Sequence, residues 1–292
     1  MIDRLRTLFE IGHHPLAFEA SEDLPGQPGL RLSRLTFRTG EGKAVRGFLC
    51  RPMAEGPVPV VLVIHAHGNR YDIGADELML GRPALAGPPG PAFAALGIAS
   101  LCLDMPCFGD RSGVSESAAA KAALWHGRSL AGQMVGECQA AVGWLAGQPW
   151  VRPDRLGVFG ISMGATLGYW LAAVEGRVYA LAQECCLADF AALIDRDAHD
   201  LHGLYLTVPG LLQVASNGLI AGMIAPRAQY IGLGDLDPLT PPDAMAIALD
   251  QVHTAYGPSG GHLVIHREAS AGHVETPAMR AAMLAFMAKA LQ

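Results

Sequence analysis

Residues 155–174 read RLGVFGISMGATLGYWLAAV. RLGVFG is a short apolar run of the kind expected for a strand buried on both faces. Met163–Val174 is packed with small and apolar residues and predicts a helix. Between them lies Gly160-Ile161-Ser162-Met163-Gly164, a G-x-S-x-G motif. Glycine on both sides leaves room for a sharp turn where β-carbons would clash, so Ser162 stands at a strand-to-helix junction with its hydroxyl raised from the sheet edge. The helix N-terminus behind it favours negative charge. The plainer alternative is a serine N-cap with glycines kept for packing. The order strand, turn, helix favours the nucleophile.

The same alternation extends outward in both directions. Val58–His65, Gly97–Asp104, Arg177–Glu184, Ala228–Gly234 and His262–Arg267 are further apolar strand candidates. Leu130–Ala146, Pro242–Tyr256 and Thr276–Leu291 carry helical spacing. Strands alternating with helices predict an α/β fold, a mainly parallel central sheet with helices on both faces. Arg31–Thr39 and Val45–Arg51 alternate apolar and polar and predict antiparallel N-terminal edge strands. Residues 1–30 are expected to be an N-terminal extension and 31–292 the catalytic domain. Segments near 105–129 and 187–224 fit neither pattern and are expected as insertions at the top of the sheet.

Of the 292 residues 51% are hydrophobic and 16% charged, which favours a large core over disorder. The formal net charge of −6, with no basic block, argues against a nucleic-acid partner. Pro83–Leu103 and Leu201–Pro226 are long uncharged stretches, but prolines and polar residues interrupt both, so neither is expected to span a membrane. The first twenty residues predict no secretory leader. The six cysteines show no C-x-x-C spacing and read as buried thiols of a cytoplasmic protein. Homodimerisation stays open.

A serine hydroxyl needs a base, and the base needs a third group to orient it. Asp235 and Asp237 lie in GDLDPLTPP, directly after a predicted strand. His273 lies in SAGHVE, between the last strand and the last helix. Among eleven histidines only His273 occupies a small-residue loop of that kind. The pair His65 and His67 near Asp72 or Asp76, and the pair His199 and His202, offer a competing metal site. The serine constellation explains more residues and calls for no cofactor.

With these residues in place the chain resembles the α/β-hydrolases, and within them the dienelactone-hydrolase and acetyl-xylan-esterase-like branch. PDRLGVFGISMGA, APRAQYIGLGDLDPLTPP and SAGH carry the resemblance. Dienelactone hydrolases proper use cysteine where this chain has Ser162, so the likeness implies ordinary ester hydrolysis. A Gly-x-x-Asp-x-x-x-Pro pattern of relatives matches Gly234 to Pro241 and selects Asp237 as the acid; Glu184, after the preceding strand, is the alternative. The oxyanion donors implied are the N–H groups of Met163 and of Asn69, the latter from the His67-Gly68 pair with Gly68 or Arg70 as neighbours. Asp104 is expected to brace loops and Phe108 to line the pocket rim. Leu201–Pro226, with Leu211 and Leu212, is expected to form broken turns along one wall of the cleft. The resulting expectation is a serine esterase acting on a small-molecule ester of small or medium acyl group. A prolyl-oligopeptidase-like peptidase or amidase ranks second, weakened because 292 residues leave no room for a β-propeller. A metal-dependent hydrolase or a non-catalytic binding module ranks below it.

Overall fold

Apolar strands alternating with helices can bury both element types only as a sheet between helix layers. The computed structural model, which describes residues 1–25, 28–257 and 259–292, has that arrangement. In chain order its elements are α1 (Ile2–Leu8), β1 (Leu16–Leu24), β2 (Leu30–Thr39), β3 (Ala44–Pro52), β4 (Val58–Ile64), α2 (Glu77–Leu80), α3 (Pro89–Ala95), β5 (Ala99–Leu103), α4 (Glu116–Trp125), α5 (Leu130–Ala146), β6 (Val151–Ile161), α6 (Met163–Val174), β7 (Ala180–Glu184), α7 (Phe190–Ile194), α8 (Asn217–Gly222), β8 (Ala228–Gly234), α9 (Pro242–Tyr256), β9 (Leu263–Glu268) and α10 (Pro277–Leu291).

Among the described residues nine strands form one sheet in the order β1-β2-β3-β5-β4-β6-β7-β8-β9. The first three strands and the β3–β5 pair are antiparallel, and every pairing from β5 to β9 is parallel. All residues of β4, β5 and β7 are buried, as expected for central strands covered on both faces; β4 is apolar throughout, whereas β7 also buries Gln183 and Glu184. One face is covered by α1, α5, α6, α8 and α9, with Leu5, Met134, Trp170, Ile220 and Met245 in its core. The other is covered by α2, α3 and α10, with Leu78, Phe93 and Phe286 packed on Phe159 and Tyr230. From β4 the chain crosses to β5 on one side, and from β6 to β7 on the other. The loops leaving β4 and β6 therefore diverge, which opens a crevice at the C-terminal ends of these strands.

Two expectations are corrected. The first thirty residues are not an appendage: β1 pairs along β2, while Leu5 and Phe9 are fully buried and Phe9 stacks on Trp170 at 4.9 Å. β1 escapes the periodicity test because it is an edge strand exposed over most of its length, with Glu19, Glu22 and Asp23 in it. Gly26 and Gln27 of that stretch, and Pro258 of the main domain, lie outside the described residues. The 105–129 segment is also less irregular than its sequence suggests, since Ser115 caps α4 by accepting from the Ala118 N–H. The 187–224 segment does break into turns, with α7, three short 3-10 turns and α8. No helix of the described residues is long and apolar enough to cross a membrane. All six cysteines are buried and unpaired.

Candidate active site

The turn after β6 is set by sterics. Ser162 has φ 58° and ψ −121°, a conformation that costs a non-glycine residue about 1–3 kcal/mol. A β-carbon on Gly160 would lie 2.3 Å from the Gly164 carbonyl carbon, and one on Gly164 would lie 1.8 Å from the carbonyl oxygen of Ile64. Both glycines are therefore required for α6 to start against the end of β4. The Ser162 N–H donates to the carbonyl of Glu184 and its carbonyl accepts from the Thr166 N–H, so the strained backbone is tied on both sides.

The Ser162 hydroxyl is 2.9 Å from Nε2 of His273, and Nδ1 of His273 is 2.7 Å from Oδ2 of Asp237. With the proton on Nδ1, His273 donates to the carboxylate and leaves Nε2 free to accept from the serine. Asp237 is buried, and its Oδ1 accepts from the Leu239 N–H at 2.9 Å. Asp235 instead pairs with Arg267 near the surface. The loop after β8 is stitched to the histidine loop by the Leu236 N–H, which donates to the Ala271 carbonyl. Three sequence-separated residues are thus joined in one hydrogen-bonded line.

Other expected parts are placed differently. Met163 is the first residue of α6, where backbone N–H groups lack intrahelical acceptors. Asn69, the other expected donor, has its N–H committed to Nδ1 of His67 at 3.1 Å, and the Arg70 N–H is committed to the His67 carbonyl. The cause is that the His67 ring folds back over its own turn, where Nε2 is 2.5 Å from Glu116. Phe108 does not line a rim. It is fully buried, with its ring 5.0–5.2 Å from those of His65, His67 and Tyr71. The positive φ of Cys107 (74°) turns the chain inward just before it. Leu211 is in the core and Leu212 is 42% exposed, so these two do not form a common wall. One cavity of about 530 Å³ is lined by the 70–87 segment, including Arg70, Asp76, Leu80 and Arg82; another of about 450 Å³ lies between Leu8, His13, Arg128 and Pro209.

In the first metal alternative His65 and His67 are already engaged, and in the second Nε2 of His202 donates to the Leu239 carbonyl. Nε2 of His65 accepts from the Met105 N–H, and burial holds this ring neutral, with its pKa lowered to about 3. Asp72 pairs with Arg70 and Asp76 with Arg46. Among the described residues no group of three His, Cys, Asp or Glu side chains is placed to hold a metal ion. Asp104 is the expected brace. It is fully buried and accepts from the N–H groups of Ala75 and Asp110 and from Arg46.

Glu184 is fully buried and lies against Glu275, two residues beyond His273. Burial, then the charge of Glu275, push its carboxyl well above the usual range, with Arg280 opposing. Glu275 is held by Arg280 and by the Ala86 N–H, so Glu184 is the member that keeps the proton. The folded chain therefore binds a proton that the unfolded chain releases above about pH 4.3, and stability falls as pH rises through that window. Glu184→Gln, neutral at every pH, raises the melting temperature relative to the parent at pH 8 but not at pH 4, and leaves activity in place. Loss of activity would move the acid role from Asp237 to Glu184.

Residues 42–217 match the protein family described as X-Pro dipeptidyl-peptidase (S15 family), a span that includes Ser162 and ends before Asp237 and His273. The chain is 35% identical over 254 residues to "Putative hydrolase YtaP" of Bacillus subtilis, covering 86% of this chain and 84% of that protein. It belongs to the S15 family of α/β-hydrolases. This S15-family chain is also 32% identical over 157 residues to the esterase FrsA of Klebsiella pneumoniae, covering 54% of this chain but only 31% of FrsA. The fold is shared with acetyl xylan esterase 1 from Thermoanaerobacterium, with a TM-score of 0.70, 18% identity and coverage of 100% of this chain and 94% of that one. The α/β-hydrolase architecture expected from the motifs is thus present in both sequence and structure.

Proposed function

We propose that the S15-family chain is a serine esterase that cleaves carboxylic esters of small or medium acyl groups through an acyl-enzyme. The observation that carries this is the line Ser162–His273–Asp237, with bonds of 2.9 and 2.7 Å. His273 takes the proton of the Ser162 hydroxyl as its oxygen attacks the acyl carbonyl. The buried carboxylate of Asp237 orients the ring and stabilises the imidazolium that forms. The Met163 N–H meets the oxyanion together with a donor from the loop that follows β4. His273 then protonates the departing alkoxide, and water enters by the same base to release the acid. The esterase name of the FrsA relative and those of the structural neighbours agree with this chemistry.

The family description favours a second reaction, removal of an X-Pro dipeptide from a peptide. The same three residues serve amide cleavage, so substrate preference decides. Aryl esters with acyl chains from acetyl upward, run beside aminoacyl and X-Pro arylamides, test both. The expected result is kcat/KM for short-chain esters at least about a hundredfold above any amide, a difference of about 2.7 kcal/mol in activation free energy. An X-Pro arylamide turned over faster than the best ester would replace the esterase by the peptidase.

A further inference from the structure

Three hydrogen-bond donors converge on the buried carboxylate of Glu116, the first residue of α4. Oε2 accepts from Nε2 of His67 at 2.5 Å and from the Tyr71 hydroxyl at 2.9 Å, and Oε1 accepts from the Tyr205 N–H at 2.8 Å. These donors come from two places: the loop after β4 and the turn at Leu204–Leu206 within the 187–224 insertion. The His67 ring is stacked on Tyr205 at 5.4 Å and packed edge-on to Tyr71 at 5.2 Å. Its other nitrogen accepts the Asn69 N–H, and its carbonyl accepts from Nη1 of Arg82. Gly68 and Asn69 both have positive φ, 52° and 53°. Asparagine tolerates this left-handed region better than most residues, and here the bond from its N–H to His67 fixes it.

We propose that Glu116 is a positioning residue: through His67 it holds the Gly68–Asn69 turn that follows β4, the strand whose end abuts the start of α6 at Gly164, so that the 105–129 insertion sets the oxyanion side of the site. This rests on the esterase chemistry proposed above. The chemical reason is the acceptor count. A carboxylate has two acceptor oxygens and can receive all three donors, whereas an amide has one acceptor oxygen and an NH₂ group. In Glu116→Gln one arrangement sets NH₂ against the Tyr205 N–H. The other sets it against Nε2 of His67, which then must move its proton to Nδ1 and release the Asn69 N–H. The first costs the Leu204–Leu206 turn its bond to α4, and the second costs the Gly68–Asn69 turn its bond to His67, although the side-chain volume is nearly unchanged. Burial raises the Glu116 carboxyl, but the bonds from His67, the Tyr205 N–H and Tyr71 bring it below the ordinary value, in keeping with an ionised acceptor.

The test uses the full chain with Glu116→Gln and, as a milder change, Tyr71→Phe, which removes one donor and keeps the ring on Phe108. Steady-state kinetics on an aryl acetate, the rate of Ser162 phosphonylation by a fluorophosphonate and the melting temperature are measured for each. Glu116→Gln is expected to lower kcat roughly 30- to 300-fold, somewhat below the roughly 10²- to 10³-fold cost of deleting an oxyanion donor because the turn is misplaced and not removed, with KM within about twofold and phosphonylation slowed by a similar factor. Tyr71→Phe is expected to lower kcat by roughly threefold to tenfold with KM unmoved. If both variants melt well above the assay temperature and keep kcat within about twofold of the parent, or change KM alone, Glu116 is a packing residue and the proposal is overturned. If the parent protein itself neither hydrolyses the ester nor is phosphonylated at Ser162, the esterase proposal fails and this one falls with it.

Discussion

Replacing Ser162 by alanine is expected to lower kcat for ester hydrolysis by about 10⁴-fold or more while leaving the melting profile unchanged. The large loss follows from the geometry. The hydroxyl is bonded to Nε2 of His273, and in the proposed mechanism no acyl-enzyme forms without it. The small effect on stability follows from the backbone. Alanine at φ 58° carries the same strain as serine, and Gly160 and Gly164 still permit the turn. The hydroxyl caps no backbone group of α6, so its removal orphans no N–H of the helix. The measurements are kcat on the preferred ester and a thermal melt of both proteins. A variant retaining a tenth of the activity would mean that Ser162 is not the nucleophile.

Asp237→Asn is expected to cost roughly 10³- to 10⁴-fold in kcat, and Asp235→Asn no more than a few-fold. Asp237 receives two donors, Nδ1 of His273 and the Leu239 N–H. An asparagine that keeps its oxygen on Leu239 turns NH₂ toward His273. The imidazole then holds its proton on Nε2 and cannot take another from Ser162. Reversing the amide sets NH₂ against the Leu239 N–H in a buried site, where an unmatched donor costs about 1–3 kcal/mol. Asp235 loses only a partly exposed contact with Arg267, and such pairs contribute about 0–1 kcal/mol. Parallel kinetics and melts of the two variants decide the matter. A dead Asp235→Asn beside an active Asp237→Asn would reverse the assignment.

Much of the fold is legible in short windows. Leu130–Ala146, Met163–Val174 and Pro242–Tyr256 are helices with the bounds their spacing predicts, and Ala228–Gly234 is a strand over its predicted length. The elbow is legible for the same reason: a glycine on each side of Ser162 records a steric demand between residues at most five apart in sequence, plus the end of β4. Serine, aspartate and histidine are also found in the loops that their flanking strands predict. Sequence alone thus determined the α/β class, the strand-to-helix turn at Ser162 and the loops that hold Asp237 and His273. What it did not determine depends on contacts between distant segments. β1 is recognised only by its pairing with β2, since an exposed edge strand has no buried face to mark its period. Asp237 rather than Asp235 reaches His273 because the loop after β8 is pinned to Ala271, 35 residues away. Phe108, Leu211 and Leu212 are apolar residues of insertions, and apolarity says that a side chain seeks burial without saying where. The bond from His67 to Glu116 spans 49 residues and two loops. Local sterics and periodicity are written into neighbouring residues, whereas a hydrogen bond between loops exists only after the sheet order has brought their strands to one end.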